Sequence, residues 1–134
     1  MPLSRLSYDP RDNILFVSHP EPTKLDSEEL IRRYFNEVVA FWIAKCNGQR
    51  VYFVVDYENL SVDPNLKEIY GKQVERGVRG YALTIVRYGG EPLQRTVARL
   101  VGIQLHVPSN VYESREQAIA VVRQLRARAT AEQR

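Results

Sequence analysis

The run Val51-Tyr52-Phe53-Val54-Val55-Asp56 constrains this chain more than any other segment. Its apolar, β-branched and aromatic side chains do not alternate with polar ones, so it reads as a strand buried on both faces. The run stops at a carboxylate and passes through the polar loop Tyr57-Glu58-Asn59-Leu60-Ser61-Val62. It restarts at Asp63-Pro64, a pair suited to opening a helix as N-cap and first helical residue. A buried strand that hands a loop to a helix N-terminus is where open α/β sheets place their binding sites.

The segments on either side read as alternating strands and helices. Leu3 to Tyr8 and Ile14 to Ser18 flank the turn residues Asp9-Pro10-Arg11-Asp12-Asn13, which predicts an antiparallel hairpin. His19-Pro20-Glu21-Pro22 breaks regular structure. A first helix follows, with Asp26 as N-cap, Glu29 three residues on, Leu25 and Leu30 as a hydrophobic staple, and Asn47-Gly48 as the stop. Its apolar face covers about half the circumference, beyond the usual ~100° stripe. Tyr34, Phe41 and Trp42 on that face either pack in the core or form a homodimer interface.

The helix after Asp63-Pro64 is expected to stop near Gly77, followed by a buried strand from Tyr81 to Val86. Arg87-Tyr88-Gly89-Gly90-Glu91-Pro92 then leads to a helix with Leu93, Val97, Leu100 and Val101 on one face. Ile103, Leu105 and Val107 alternate as a short strand. Ser114 and Gln117 form a capping box for a last helix burying Ala118, Ile119, Val122 and Leu125. The predicted order is ββαβαβαβα: an α/β single domain over 1–128 with a mostly parallel central sheet, an N-terminal hairpin and four helices. Residues 129–134 are expected to fray.

The composition suits a compact soluble domain, with 44% hydrophobic and 26% charged residues in 134. One cysteine, Cys46, excludes an internal disulfide and a multi-cysteine zinc site. With no basic-plus-apolar leader at the N-terminus, the expected location is cytoplasmic. The longest apolar run, Val38 to Ala44, is too short to insert in a membrane. The net charge of +3 falls entirely within residues 115–134, where five arginines meet Glu116 and Glu132. No aromatic residue follows Tyr112 for base stacking, which argues against nucleic acid as the partner of that basic helix.

The order of elements, with Leu25-Asp26-Ser27-Glu28-Glu29-Leu30, Val54-Val55-Asp56, Leu60-Ser61-Val62-Asp63 and Val111-Tyr112-Glu113-Ser114-Arg115-Glu116-Gln117-Ala118, resembles the STAS domain. That is the fold of bacterial anti-sigma-factor antagonists and of sulfate-transporter cytoplasmic domains. The resemblance covers roughly residues 4–126. It implies a regulatory protein that binds a kinase-like or other regulatory partner through the loop after the central strand and the start of the next helix. In antagonists of the family a serine just after an aspartate there is phosphorylated. Here Asp63 matches the aspartate but Pro64 stands in the serine position, one residue closer to Asp56 than the family spacing. Proline has no hydroxyl, so the usual switch is lost; Ser61 is the nearest alternative acceptor.

The sequence thus offers a partner-binding surface of Asp56, Tyr57, Glu58, Asn59 and Asp63, with Tyr57 as the anchor. A second reading uses Gly89 and Gly90, with Arg87 and Arg95 beside them, to bind a small anionic ligand. The glycine pair lacks the spacing of known phosphate-binding loops, so a plain turn competes with that reading. Asp56, Glu58 and Asp63 do not have calcium-loop spacing. Cys46, His19 and His106 are separated in the sequence, and no residue is nominated for catalysis, for a metal or for a cofactor. The expectation is a non-enzymatic interaction module.

Overall fold

The computed structural model describes residues 2–90 and 111–132. The hairpin forms as its turn residues require: β1 (Arg5–Asp9) and β2 (Ile14–Ser18) pair antiparallel, Leu6 opposite Val17 and Tyr8 opposite Leu15. Asn13 closes the turn in the left-handed region at φ 56°, which asparagine tolerates. Next come β3 (Thr23–Leu25), α1 (Glu28–Lys45), β4 (Val51–Asp56) and β5 (Leu60–Val62). A short 3-10 turn, Pro64–Leu66, then precedes α2 (Lys67–Gly80), β6 (Ala82–Tyr88), β7 (Val111–Tyr112) and α3 (Arg115–Glu132).

The main sheet has five strands in the order β1-β2-β4-β6-β7, and every pairing after the hairpin is parallel. β4 lies at its centre, as its unbroken apolar run requires. Phe53 and Val55 turn to the side covered by α1 and α2, while Tyr52 and Val54 turn to the side covered by α3. Fully burying such a side chain stabilises the fold by roughly 1.5–3 kcal/mol, so this one strand anchors both layers. Across the first layer, Ile31, Tyr34 and Val38 of α1 pack over Leu15, Val17 and Phe53. On the second, Ala118 and Val122 of α3 meet Ile14, Val54 and Val86. Asp12 in the hairpin turn also pairs with Arg123 at 3.1 Å and Arg126 at 3.2 Å, tying α3 to the opposite end of the chain.

Several local expectations change. Ser27, not Asp26, caps α1: it has extended backbone and its Oγ accepts from the Leu30 N–H at 3.2 Å. The cap falls where the chain leaves β3, so Asp26 sits one residue too early. The loop after β4 contains β5, which pairs in parallel with β3 as a separate two-stranded sheet, Leu25 beside Val62. Neither segment carries a strand pattern long enough to be read locally. Asp63 and Pro64 open the 3-10 turn rather than α2 itself, with Asp63 Oδ1 accepting from Asn65 N–H at 2.9 Å. α2 continues past Gly77 to Gly80 because Gly77 serves packing: a Cβ there would lie 3.2 Å from the Tyr81 hydroxyl. α3 runs to Glu132, beyond the expected fraying point at residue 128.

Three helices occur among the described residues, not four. The helix expected around 93–101, with Arg95, and the strand at 103–107, with His106, lie outside the described residues. Among the described residues no helix is long and apolar enough to cross a membrane.

Candidate functional site

Because β2, β4, β6 and β7 run parallel, their carboxyl ends share one edge of the sheet. The loops leaving them are His19–Pro22, Asp56–Asn59 and Gly89–Gly90, with the start of α3 beyond Tyr112. The two candidate sites read from the sequence are therefore neighbours. The Tyr57 N–H donates to the Tyr88 carbonyl at 2.9 Å, and a Cβ on Gly89 would lie 3.1 Å from Asp56 Oδ1 and 3.8 Å from Glu58 N. Gly89, at φ 74°, is needed there for both reasons.

The Asp56–Asn59 loop is held at every residue. Asp56 Oδ1 accepts from the Glu58 N–H at 2.8 Å, and the Leu60 N–H returns to the Tyr57 carbonyl at 3.2 Å. Asn59 takes φ 64°, a left-handed conformation, and its Nδ2 donates to the His19 carbonyl at 2.9 Å. Its own carbonyl accepts from the Thr23 N–H at 2.7 Å. Burial first, and then the charge of the Asp56 carboxylate, push the Tyr88 pKa up to about 12.

His19 links this loop to the core. Set aside in the sequence as an isolated residue, it is 3% exposed, with Nδ1 2.8 Å from the Asp56 carbonyl and Nε2 2.8 Å from the Tyr34 hydroxyl. The ring also stacks on Tyr34, with centroids 5.8 Å apart. Burial lowers the His19 pKa, against the raising effects of the Asp56 carbonyl bond and charge. The available signal was the inward alternation Leu15, Val17, His19 continuing past the strand end.

Tyr57 is not the exposed anchor expected. It is buried at 5% exposure and lines the same small internal cavity as Tyr70. Strand alternation explains this: Tyr57 extends the Phe53, Val55 side of β4, the side that α1 and α2 cover. The surface left to a partner consists of Glu58 and Asn59, both exposed, with Asp56 half-buried next to them; Asp63, also half-buried, lies beyond β5 and caps the 3-10 turn. A shallow depression of about 230 Å³ lies there, lined by Lys24, Glu58, Asn59, Ser61 and Gly90 among others.

The described components of the anion-binding reading, Arg87 and the glycine pair, do not form an anion site together. Arg87 is 4% exposed and turns inward, lining a cavity of about 40 Å³ with Tyr34, Tyr57, Tyr70 and Gln73. That volume suits ordered water better than a ligand. Gly89 instead donates its N–H to the Tyr112 carbonyl at 3.0 Å and lies against the carboxylates of Asp56 and Glu58. Arg95 is outside the described residues.

The remaining candidates also find structural partners. Tyr34 is in the core, Trp42 donates from Nε1 to the Gln49 carbonyl at 2.7 Å and packs on Tyr81, and Phe41 packs partly against the core. This removes Tyr34 from any dimer face on α1. On the basic helix, Arg123 and Arg126 are paired with Asp12, and Arg115 lies 4.5 Å over the Phe16 ring. Cys46 is buried, which raises its thiol pKa and disfavours the thiolate. Among the described residues no three His, Cys, Asp or Glu side chains are grouped to hold a metal ion.

Comparison with known proteins finds no family model, no curated protein and no solved structure that matches the chain.

Proposed function

We propose that this chain is a non-catalytic regulatory module of STAS-like architecture that docks a basic protein partner through Asp56, Glu58, Asn59 and Asp63. The observation that carries this reading is the construction of the Asp56–Asn59 loop. Its backbone is bonded to the Tyr88 and Thr23 backbones and to the His19 ring, yet Glu58 and Asn59 are exposed. A loop already fixed in shape loses little conformational freedom on binding, which favours recognition.

The shape of the edge supports a macromolecular partner. Small ligands of open α/β sheets bind in the crevice formed where strand order reverses. Here β2, β4 and β6 are laid down in chain order, and α1 and α2 lie on the same face. Among the described residues no reversal of strand order opens a crevice at this edge. The carboxylates of Asp56, Glu58 and Asp63 would steer a positively charged partner and fix its register. Pro64 cannot accept a phosphate, so binding is constitutive at that position or is controlled elsewhere, with the half-buried Ser61 the nearest hydroxyl.

The test is quantitative affinity capture from the native host, comparing the wild-type chain with Glu58→Lys and with a distant charge control, Glu132→Lys. A specific partner should lose roughly tenfold or more in affinity for Glu58→Lys and bind the control normally. Equal binding to all three chains overturns the assignment of this surface.

A further inference from the structure

β1 is the outer strand of the main sheet, and among the described residues no strand pairs with its far side. A bare edge presents unpaired backbone N–H and C=O groups, and proteins usually protect it with repelling charge, proline or a bulge. The strand Arg5-Leu6-Ser7-Tyr8-Asp9 has no proline, and its pairing with β2 runs without a register shift. Its two charges have opposite signs and sit equally far from Ser7, at the two ends of the strand.

That placement is self-complementary in one orientation. A second copy running antiparallel and centred on Ser7 sets Arg5 opposite Asp9, Leu6 opposite Tyr8, and Ser7 opposite Ser7. Two-fold symmetry makes each unlike pair occur twice. A parallel copy would instead set Arg5 against Arg5 and Asp9 against Asp9. A slip of one residue would set Arg5 against Tyr8 and bring the α1 side of one copy level with the α3 side of the other. Leu6 and Tyr8 pack on the core beneath α1, so their pairs extend that layer, while Arg5 and Ser7 are exposed on the other face. Directly opposed unlike charges and apolar–aromatic pairs are the side-chain contacts that stabilise antiparallel strands.

We propose that the chain forms a two-fold symmetric homodimer through β1, in register about Ser7, so that one continuous sheet runs through both copies. This interface lies at the sheet edge and does not use the aromatic face of α1.

Sedimentation velocity on the full chain, from about 1 to about 200 µM, tests it. The wild type is expected to show concentration-dependent dimerisation. Arg5→Asp and Asp9→Arg should each weaken self-association by roughly tenfold or more, because each puts two like-charge pairs across the interface. Mixing the two variants should restore a heterodimer, and the double exchange Arg5→Asp/Asp9→Arg should restore a homodimer. Asp9 Oδ1 also accepts from the Arg11 N–H at 2.9 Å, so circular dichroism must verify each fold. Arg5 is exposed, and Arg5→Asp decides alone if Asp9→Arg fails to fold. A wild type that stays monomeric throughout, or a dimer whose constant Arg5→Asp leaves unchanged, overturns the proposal.

Discussion

Replacing His19 tests the support of the binding loop most directly. A carbonyl oxygen only accepts, so the neutral ring must carry its proton on Nδ1, donate it to Asp56 O, and accept the Tyr34 hydroxyl on Nε2. His19→Leu removes both bonds and leaves the buried Tyr34 hydroxyl without this partner. Two bonds at about 1 kcal/mol each, plus the penalty for a stranded hydroxyl, predict a loss of roughly 2–4 kcal/mol. Tyr34→Phe alone should cost about 1–2 kcal/mol. The double variant should cost less than the sum by at least about 0.5 kcal/mol, because the two side chains share a bond.

The same site predicts a pH dependence. His19 has a folded pKa below its ordinary 6.5, chiefly through burial. Above that value both states are neutral and the shift has no effect. As the pH falls below it, the unfolded chain gains a proton that the folded chain refuses, so stability drops until the folded pKa is reached. The size of the loss at a given pH is set by how far burial has carried the folded pKa below its ordinary value. Urea unfolding at about pH 7.5 and 5.5 should therefore show a smaller acid-induced loss for His19→Leu than for wild type. His106 is present in both chains and cancels in the comparison. Parallel pH responses together with strictly additive mutational costs would refute the reasoning.

Other expectations concern single contacts. Ser27→Ala should cost about 1 kcal/mol in thermal or urea unfolding and Asp26→Ala less than about 0.5 kcal/mol, since Ser27 makes the cap bond; the reverse order would return the cap to Asp26. Gly89→Ala forces a side chain into φ 74° at 3.1 Å from Asp56 Oδ1, so it should cost about 1–2 kcal/mol and speed hydrogen exchange at the Glu58 amide. Unchanged exchange would separate Gly89 from the loop. Asp12→Asn should cost less than about 1 kcal/mol, and less still in high salt, because its arginine partners are largely exposed. A salt-independent cost would point to packing rather than charge.

The docking surface and the sheet edge make separable claims. The Glu58 loop is at the carboxyl end of the parallel strands, whereas β1 is the outer strand of the sheet. A chain that dimerises and yet fails to capture a partner through Glu58, or the opposite, would leave one proposal intact.

Much of the architecture was legible because it repeats with a period. The unbroken run at 51–55 set the central strand, turn residues set the hairpin, and helical spacing picked out Ala118 and Val122 as the buried face of α3. The capping box at Ser114 and Gln117 was legible for the same local reason, with Ser114 Oγ accepting from Gln117 N–H at 3.2 Å. The position of the candidate loop followed from the chain leaving a central strand. The pairing of β3 with β5 was not legible, because it joins residues 23–25 to 60–62 and neither segment has a pattern of its own.

What the sequence by itself determined is the local chemistry: where the chain must be extended or helical, where it turns, and that position 64 can accept no phosphate. Only the tertiary structure decided which side chains of the site meet solvent. Strand alternation, once the helices had chosen a face, drew Tyr57 and Arg87 inward, while the turn through Glu58 and Asn59 left those two residues exposed. The same packing brought His19 against Asp56 and Tyr34, residues 37 and 15 positions away. Burial, hydrogen-bond partnership and shifted pKa values depend on distance in space, and no local pattern in a chain encodes that distance.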